Sequence, residues 1–279
     1  MRSLFNIIFL LCLISCNWME FKNLEPAVIK IATVKVQNPA ANPENFHGVQ
    51  DLWVFLDDVY IGTYPIPMDI PLLESGTERV IRIFPGIREF GIRARTEIYN
   101  LMDPFSVQTD LQEGGAYTFT PVFKYKQNIR AEFFEDFENS NQFTNDLDQD
   151  KTNHIIRSSS SSQEGNFSGL MVNDAAHPVT EAGTNSFRIP PSAYLELSFR
   201  ATHDFNLGVN TVNGPNPNKN YFLGLKATAT WKKVYIPFRE VIGQNTELMY
   251  QLLVRTELGP PPVTADTVFL DFIKIISLP

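Results

Sequence analysis

From Val28 the chain alternates apolar and polar positions with a period of two, the mark of a strand with one buried face. Val28, Lys30, Ala32, Val34 and Val36 fall on one side, and Ile29, Ile31, Thr33 and Lys35 on the other, until Asn38-Pro39 ends the run. The apolar run Leu52-Trp53-Val54-Phe55-Leu56 meets the turn-favouring pair Asp57-Asp58 and returns through Val59-Tyr60-Ile61-Gly62, which predicts a hairpin. Pro65, Pro67 and Pro71 keep the next stretch out of a central strand, because proline has no N–H for the ladder. Further strands are predicted over 79–84, 91–99 and 116–125, separated by Pro85-Gly86, Asp103-Pro104 and Glu113-Gly114-Gly115. Short strands at this spacing predict an immunoglobulin-like (Ig-like) sandwich. Near the other end, Trp231 and Tyr235 alternate with Val234, Ile236 and Phe238 and so point to the face opposite that apolar set. By the same count Asp271 shares a face with Phe269, Ile273 and Ile275, a carboxylate among apolar neighbours.

The first residues have a different pattern. Arg2 precedes a ten-residue apolar run, Leu4 to Leu13, which is too short to cross a bilayer that needs ~20 apolar residues. Such a run is a secretory signal. Leu13-Ile14-Ser15-Cys16, at its end, resembles the lipobox of bacterial lipoproteins. The resemblance implies removal of residues 1–15, a covalent lipid on Cys16 and a mature protein anchored to a membrane, with 16–27 as lipidated cysteine and tether. Against it stands a soluble secreted protein in which Cys16 is incidental. Cys12 and Cys16 are the chain's two cysteines; processing removes one and lipidation consumes the other, so neither a disulfide nor a thiolate metal site is expected. Surface-exposed lipoproteins of the Bacteroidota carry acidic residues after the cysteine. Here Asn17 to Lys22 contains only Glu20, so the expectation is an outer-membrane protein on a face that this stretch does not specify.

Composition sharpens the class. With 279 residues, 22 Phe, 9 Tyr and 19 Pro, the chain is rich in strand and turn formers and long enough for two cores. The expected fold class is all-β: two antiparallel β-sandwich domains, Ig-like over 28–128 and a jelly roll over 129–279. The net charge of −8 argues against nucleic acid as a partner, which would call for basic patches.

Two further resemblances bear on the halves. Val54-Phe55-Leu56-Asp57-Asp58-Val59-Tyr60-Ile61-Gly62-Thr63, with Leu73-Glu74-Ser75-Gly76 and Phe84-Pro85-Gly86, resembles PEGA-type Ig-like repeats of bacterial envelope proteins, which are spacers and interaction modules. Asp136-Phe137-Glu138, the Glu164 to Gly169 stretch, Tyr194 to Arg200, Trp231 to Pro237 and Leu270-Asp271-Phe272-Ile273 are similar, in order and spacing, to the jelly roll of carbohydrate-binding modules and galactose-binding-like domains. That resemblance implies a structural calcium ion held by Asp136, Glu138 and Asp271, Ca²⁺ being a hard cation that prefers oxygen ligands. Without calcium, Asp271 is expected to bond backbone amides or an arginine, or to lie near an exposed strand end. For glycan binding the candidates are the rings of Trp231 and Tyr235, and the amides of Asn213 and Asn216 in the loop from Asn210 to Asn220. A strand-opening tryptophan at a core edge and an ordinary long turn explain the same residues.

No catalytic set is visible. Gly165-Asn166-Phe167-Ser168-Gly169 has the wrong spacing for a nucleophile elbow. His47, His154, His177 and His203 form no close metal pair, and Asp57/Asp58 and Asp146/Asp148 sit in predicted turns. The expectation is a non-enzymatic lipoprotein, membrane-bound through its lipid and acting as an accessory module of an envelope complex with a larger protein partner. The alternative is a surface glycan-binding lipoprotein that uses the jelly roll.

Overall fold

A computed structural model of the protein describes residues 25–37, 46–150, 155–213, 218–243 and 248–279. The signal sequence, Cys16, most of the tether and Asn216 lie outside these residues. The described chain is β-strand and turn, with two three-residue 3-10 turns at Arg93–Arg95 and Phe238–Glu240. No helix among the described residues is long and apolar enough to cross a membrane. The all-β class and the sandwich architecture are as expected.

Residues 27–125 form three sheets. Ala27–Ile31 lies between Met68–Leu72, antiparallel, and Ala116–Thr118, parallel. Lys35–Gln37 runs parallel to Val122–Tyr125, which pairs antiparallel with Met102–Asp103. The third sheet orders Val59–Pro65, Asp51–Leu56, Gly76–Arg88 and Thr96–Ile98, with Phe105–Leu111 also on Gly76–Arg88. The hairpin at Asp57-Asp58 forms as predicted, both residues in the left-handed region at φ 47° and 66°, a pairing that matches the twist of the flanking strands. The single strand expected from Val28 to Val36 is instead two strands in two sheets. Ile29 and Ile31 are buried before the break and Val34 and Val36 after it, so the alternation changes parity across Ala32-Thr33. Strands that change sheet at such a break make the corners of a sandwich.

Residues 130–277 form two facing sheets. One orders Ile156–Ser158, Ser168–Asp174, Ala265–Ser277, Tyr194–Ala201 and Thr228–Pro237, with Arg130–Glu135 pairing the end of Ala265–Ser277. The other orders Asn145–Asp146, Val179–Gly183, Met249–Glu257, Phe205–Thr211 and Asn218–Leu225, with Phe187–Arg188 on Met249–Glu257. Going along the chain, strands cross repeatedly from one sheet to the other, with some consecutive strands kept in one sheet, as at Ile156–Ser158 with Ser168–Asp174 and at Phe205–Thr211 with Asn218–Leu225, a winding of the jelly-roll kind. Between them lie Phe137, Phe143, Leu195, Leu197, Phe205, Val234, Ile236, Leu252, Leu270 and Ile275, all buried. Each such side chain contributes roughly 1.5–3 kcal/mol of hydrophobic stabilisation. With no disulfide expected, this packing holds the sandwich together.

Candidate functional site

The outer face of the first of these sheets is shared between two uses. Its upper half is covered by residues 27–125. Glu196 is fully buried there, accepts hydrogen bonds from the Tyr99 hydroxyl at 2.6 Å and the Tyr125 hydroxyl at 2.8 Å, and pairs with the Lys233 ammonium at 2.9 Å. Burial by itself would raise the Glu196 pKa. The Lys233 and Lys274 ammonium groups outweigh that and hold it at about 2. A second buried carboxylate, Glu89, accepts from Tyr194 Oη at 2.9 Å and pairs with Arg239 at 2.6 Å and Arg95 at 3.2 Å. The Tyr99 ring packs edge-on against Tyr194 and Tyr235, centroids 5.3 and 5.1 Å away.

This cover corrects one sequence expectation. Tyr235 points outward from its strand, as the alternation predicts, but it is 1% exposed. Its hydroxyl accepts from the Gly48 amide at 3.1 Å, and a side chain at Gly48 would collide with its ring. Tyr235 is therefore an interface residue and not a sugar platform. Asn213 also has a structural task, its Oδ1 accepting the N–H of Met249 at 2.5 Å, at the start of the neighbouring strand Met249–Glu257.

The lower half of the same face is open, and Trp231 stands on it, half-buried. Its indole reaches over the intervening Tyr194–Ala201 strand to Phe269, centroids 6.4 Å apart and planes 59° apart. Arg200 lies directly opposite Phe269 in the ladder and lays its guanidinium 4.7 Å over that ring. The partner strand bulges opposite Arg200: Phe199 pairs with Lys232 and Ala201 with Thr228, so Ala229, Thr230 and Trp231 stand against the one residue Arg200, and such a bulge re-aims the side chains of the strand that carries it. On one side of the aromatic pair is a cavity of about 510 Å³ lined by Arg200, Thr202, Ala229, Thr267 and Phe269. On the other side a cavity of about 340 Å³ lies between the halves, lined by Phe46, His47, Gln50 and Arg88 from the first and Trp231 and Lys232 from the second. Phe269 lines the first cavity and Trp231 the second, which the first half helps to wall, and we term the strip with its two flanking cavities the groove.

Phe269 and Arg200 were not legible as groove residues, since the alternation places Phe269 on one face with Ile273 and Ile275. The ladder irregularity between Glu196 and Ser198 falls opposite Asp271-Phe272, with Phe272 at φ 47°. Leu270 and Ile273, three apart, consequently both face the core, and Phe269 is turned outward.

Glu138 and Asp271 do meet around one loop. Asp271, fully buried, accepts the N–H groups of Gln163 at 2.8 Å, Glu164 at 3.4 Å and Phe272 at 2.8 Å. Glu138 Oε1 accepts those of Asn166 and Phe167 at 2.7 and 2.8 Å. Asp136 caps its own turn through the Glu138 N–H at 3.1 Å. Burial pushes Asp271 up to about 7 against the lowering effect of those amides, and Glu138 adds to the rise. Asp271 thus accepts backbone amides, and Asp136, Glu138 and Asp271 are not a set whose oxygens all lie within 4.8 Å of one another. Asp146, Asp148 and Asp150 are such a set, and there Asp146 accepts Gln149 N–H while Asp148 accepts Asp150 N–H and Glu181 N–H.

The outer face of the second sheet is bridged by its own side chains. Tyr221 donates its hydroxyl to Glu181, and Lys219 pairs with the same carboxylate at 2.7 Å, joining strands that are not neighbours in the sheet. Leu147 packs at Gly183 and beside Leu253. The two cavities described above border the first sheet.

No family model matches the chain, and no curated protein matches it. Solved structures similar to parts of it include TmCBM61 in complex with β-1,4-galactotriose (15% identity, 43% of this chain and 79% of that one, TM-score 0.29). Another is the family 30 carbohydrate-binding module of a cellulosomal cellulase of Clostridium thermocellum (13% identity, 44% and 81%, TM-score 0.32). A third is a family 29 carbohydrate-binding module (7% identity, 53% and 90%, TM-score 0.33).

Proposed function

We propose that this protein is a non-catalytic glycan-binding lipoprotein of the envelope, anchored through Cys16 and holding a saccharide against Trp231, whose indole the Arg200-covered Phe269 ring supports. The observation that supports it is the placement of that aromatic pair between two cavities on a rigid sheet. Aromatic faces take the apolar face of a sugar ring; the half-buried Trp231 indole offers one, Phe269 backs it at 7% exposure beneath Arg200, and the Arg200 guanidinium lies beside it for ring hydroxyls. A concave site of this size, mostly apolar with a few placed polar groups, is how small ligands are held. The accessory-module reading stands second, because the groove is a built concavity.

The test is a glycan array probed with the purified protein and with Trp231→Ala and Phe269→Ala. Binding of at least one glycan is expected, weakened by about tenfold or more in each variant. Absence of any bound glycan, or binding indifferent to both substitutions, would sink the reading.

A further inference from the structure

We infer that the saccharide held in this groove is acidic, bearing uronate carboxylates or sulfate esters; the inference rests on the glycan reading and adds the ligand's charge. The chain has 31 Asp+Glu against 23 Lys+Arg, so an average patch of it carries more carboxylates than cations. The groove reverses that balance. Among the described residues its two cavities are lined by Arg200, Arg88, Lys232 and Lys233 and by no aspartate or glutamate. Two of these cations are engaged inside the protein: Arg88 donates to both oxygens of Asp51 at 2.7 and 3.1 Å, and Lys233 pairs with Glu196. The other two are not. Arg200 lies over the Phe269 ring on the groove face, and Lys232 is exposed at the groove's edge, its side chain leaving the strand opposite to Trp231 because it pairs with core-facing Phe199; neither has a hydrogen bond or ion pair among the described residues.

The physics favours an anion there. A concave site lined by one sign of charge concentrates the field of its cations. Stacking on Phe269 holds the guanidinium plane in place before a ligand arrives, and a pre-set guanidinium fork is suited to bidentate contact with a carboxylate or sulfate. On a protein of net charge −8, an acidic polymer is repelled elsewhere and meets its counter-charge at this groove.

The experiment compares two polymer pairs that differ in charge and share a backbone: polygalacturonate with its full methyl ester, and dextran sulfate with dextran. Affinities are measured by affinity electrophoresis and calorimetry at low and high salt. The protein is expected to bind one charged member at least about tenfold more tightly than its neutral counterpart, with the preference shrinking as salt rises. Preference for polygalacturonate assigns carboxylates and preference for dextran sulfate assigns sulfates. The double variant Arg200→Gln, Lys232→Gln should lose the preference and Arg200→Lys should keep part of it, both unfolding at the wild-type temperature, while Trp231→Ala should lose binding altogether. Equal binding of charged and neutral members, or a preference that survives the double variant, overturns the acidic assignment and leaves the glycan reading standing. Binding of a single-stranded oligonucleotide as tightly as the polysaccharides, unaffected by Trp231→Ala, also overturns it. Failure to bind any polymer or any glycan of the array overturns both.

Discussion

At the scale of single residues, Asp271 makes the most direct claim on experiment. Its carboxyl is lifted from 3.8 to about 7 by burial, so between those values the folded protein holds a proton that the unfolded chain has released. Its stabilising contribution is therefore present in full below about pH 4 and is lost as pH rises through 7. Asp271→Asn should flatten the decline in unfolding free energy between pH 4.5 and 7.5 by on the order of a few kcal/mol, read from urea melts at three pH values. Identical slopes in variant and wild type would contradict it. That Asp271 is a buried carboxylate could be read from its apolar neighbours. Its partners could not, because Gln163 and Glu164 lie more than a hundred residues earlier. The face of Phe269 was hidden for a related reason: a one-residue slip at Asp271-Phe272 sends every later side chain to the other side.

At the scale of elements, the Tyr194–Ala201 strand joins the halves. Its inward residues Leu195, Leu197 and Phe199 belong to the jelly-roll core, and its outward residues Tyr194 and Glu196 are buried against the first half. Glu196→Gln removes the negative charge facing Lys233 and Lys274, leaving two buried ammonium groups under-compensated, and should cost about 3–5 kcal/mol by equilibrium denaturation at pH 7. Because Glu196 is held at about 2 when folded, its contribution is present above about pH 4.5 and falls away as pH drops toward 2, so variant and wild type should converge in acid. The hairpin at Asp57-Asp58 and the strands flanking it were legible because turn chemistry and alternation are local. The split of the first strand was not, because hydrogen-bond partners in two different sheets decide it.

At the scale of the molecule, the two halves pair their ladders separately apart from one bridge between Glu89 and Tyr235, yet they share buried surface. Tyr194, Tyr235 and Ile276 of the second half pack in the core cluster of the first. The described structure should therefore melt as one cooperative unit. Calorimetry is expected to show a single transition for the whole protein and two for a Tyr99→Ala, Glu196→Ala double variant, in which the shared ring and the shared carboxylate are both lost. Two transitions in the wild type would show that the halves fold independently.

Period-two alternation, turn residues and composition act over a few positions, and from them follow the all-β class, the position of the hairpin, the outward aim of Trp231 and the burial of Asp271. Which half of that outward face stays open depends on where a sandwich a hundred residues away comes to rest, and which residues stand beside Trp231 depends on two slips in strand pairing. Burial of Tyr235, exposure of Trp231 and the meeting of Arg200 with Phe269 are all consequences of long-range packing. They give one alternating strand two environments, the buried interface between the halves at Tyr235 and the groove at Trp231.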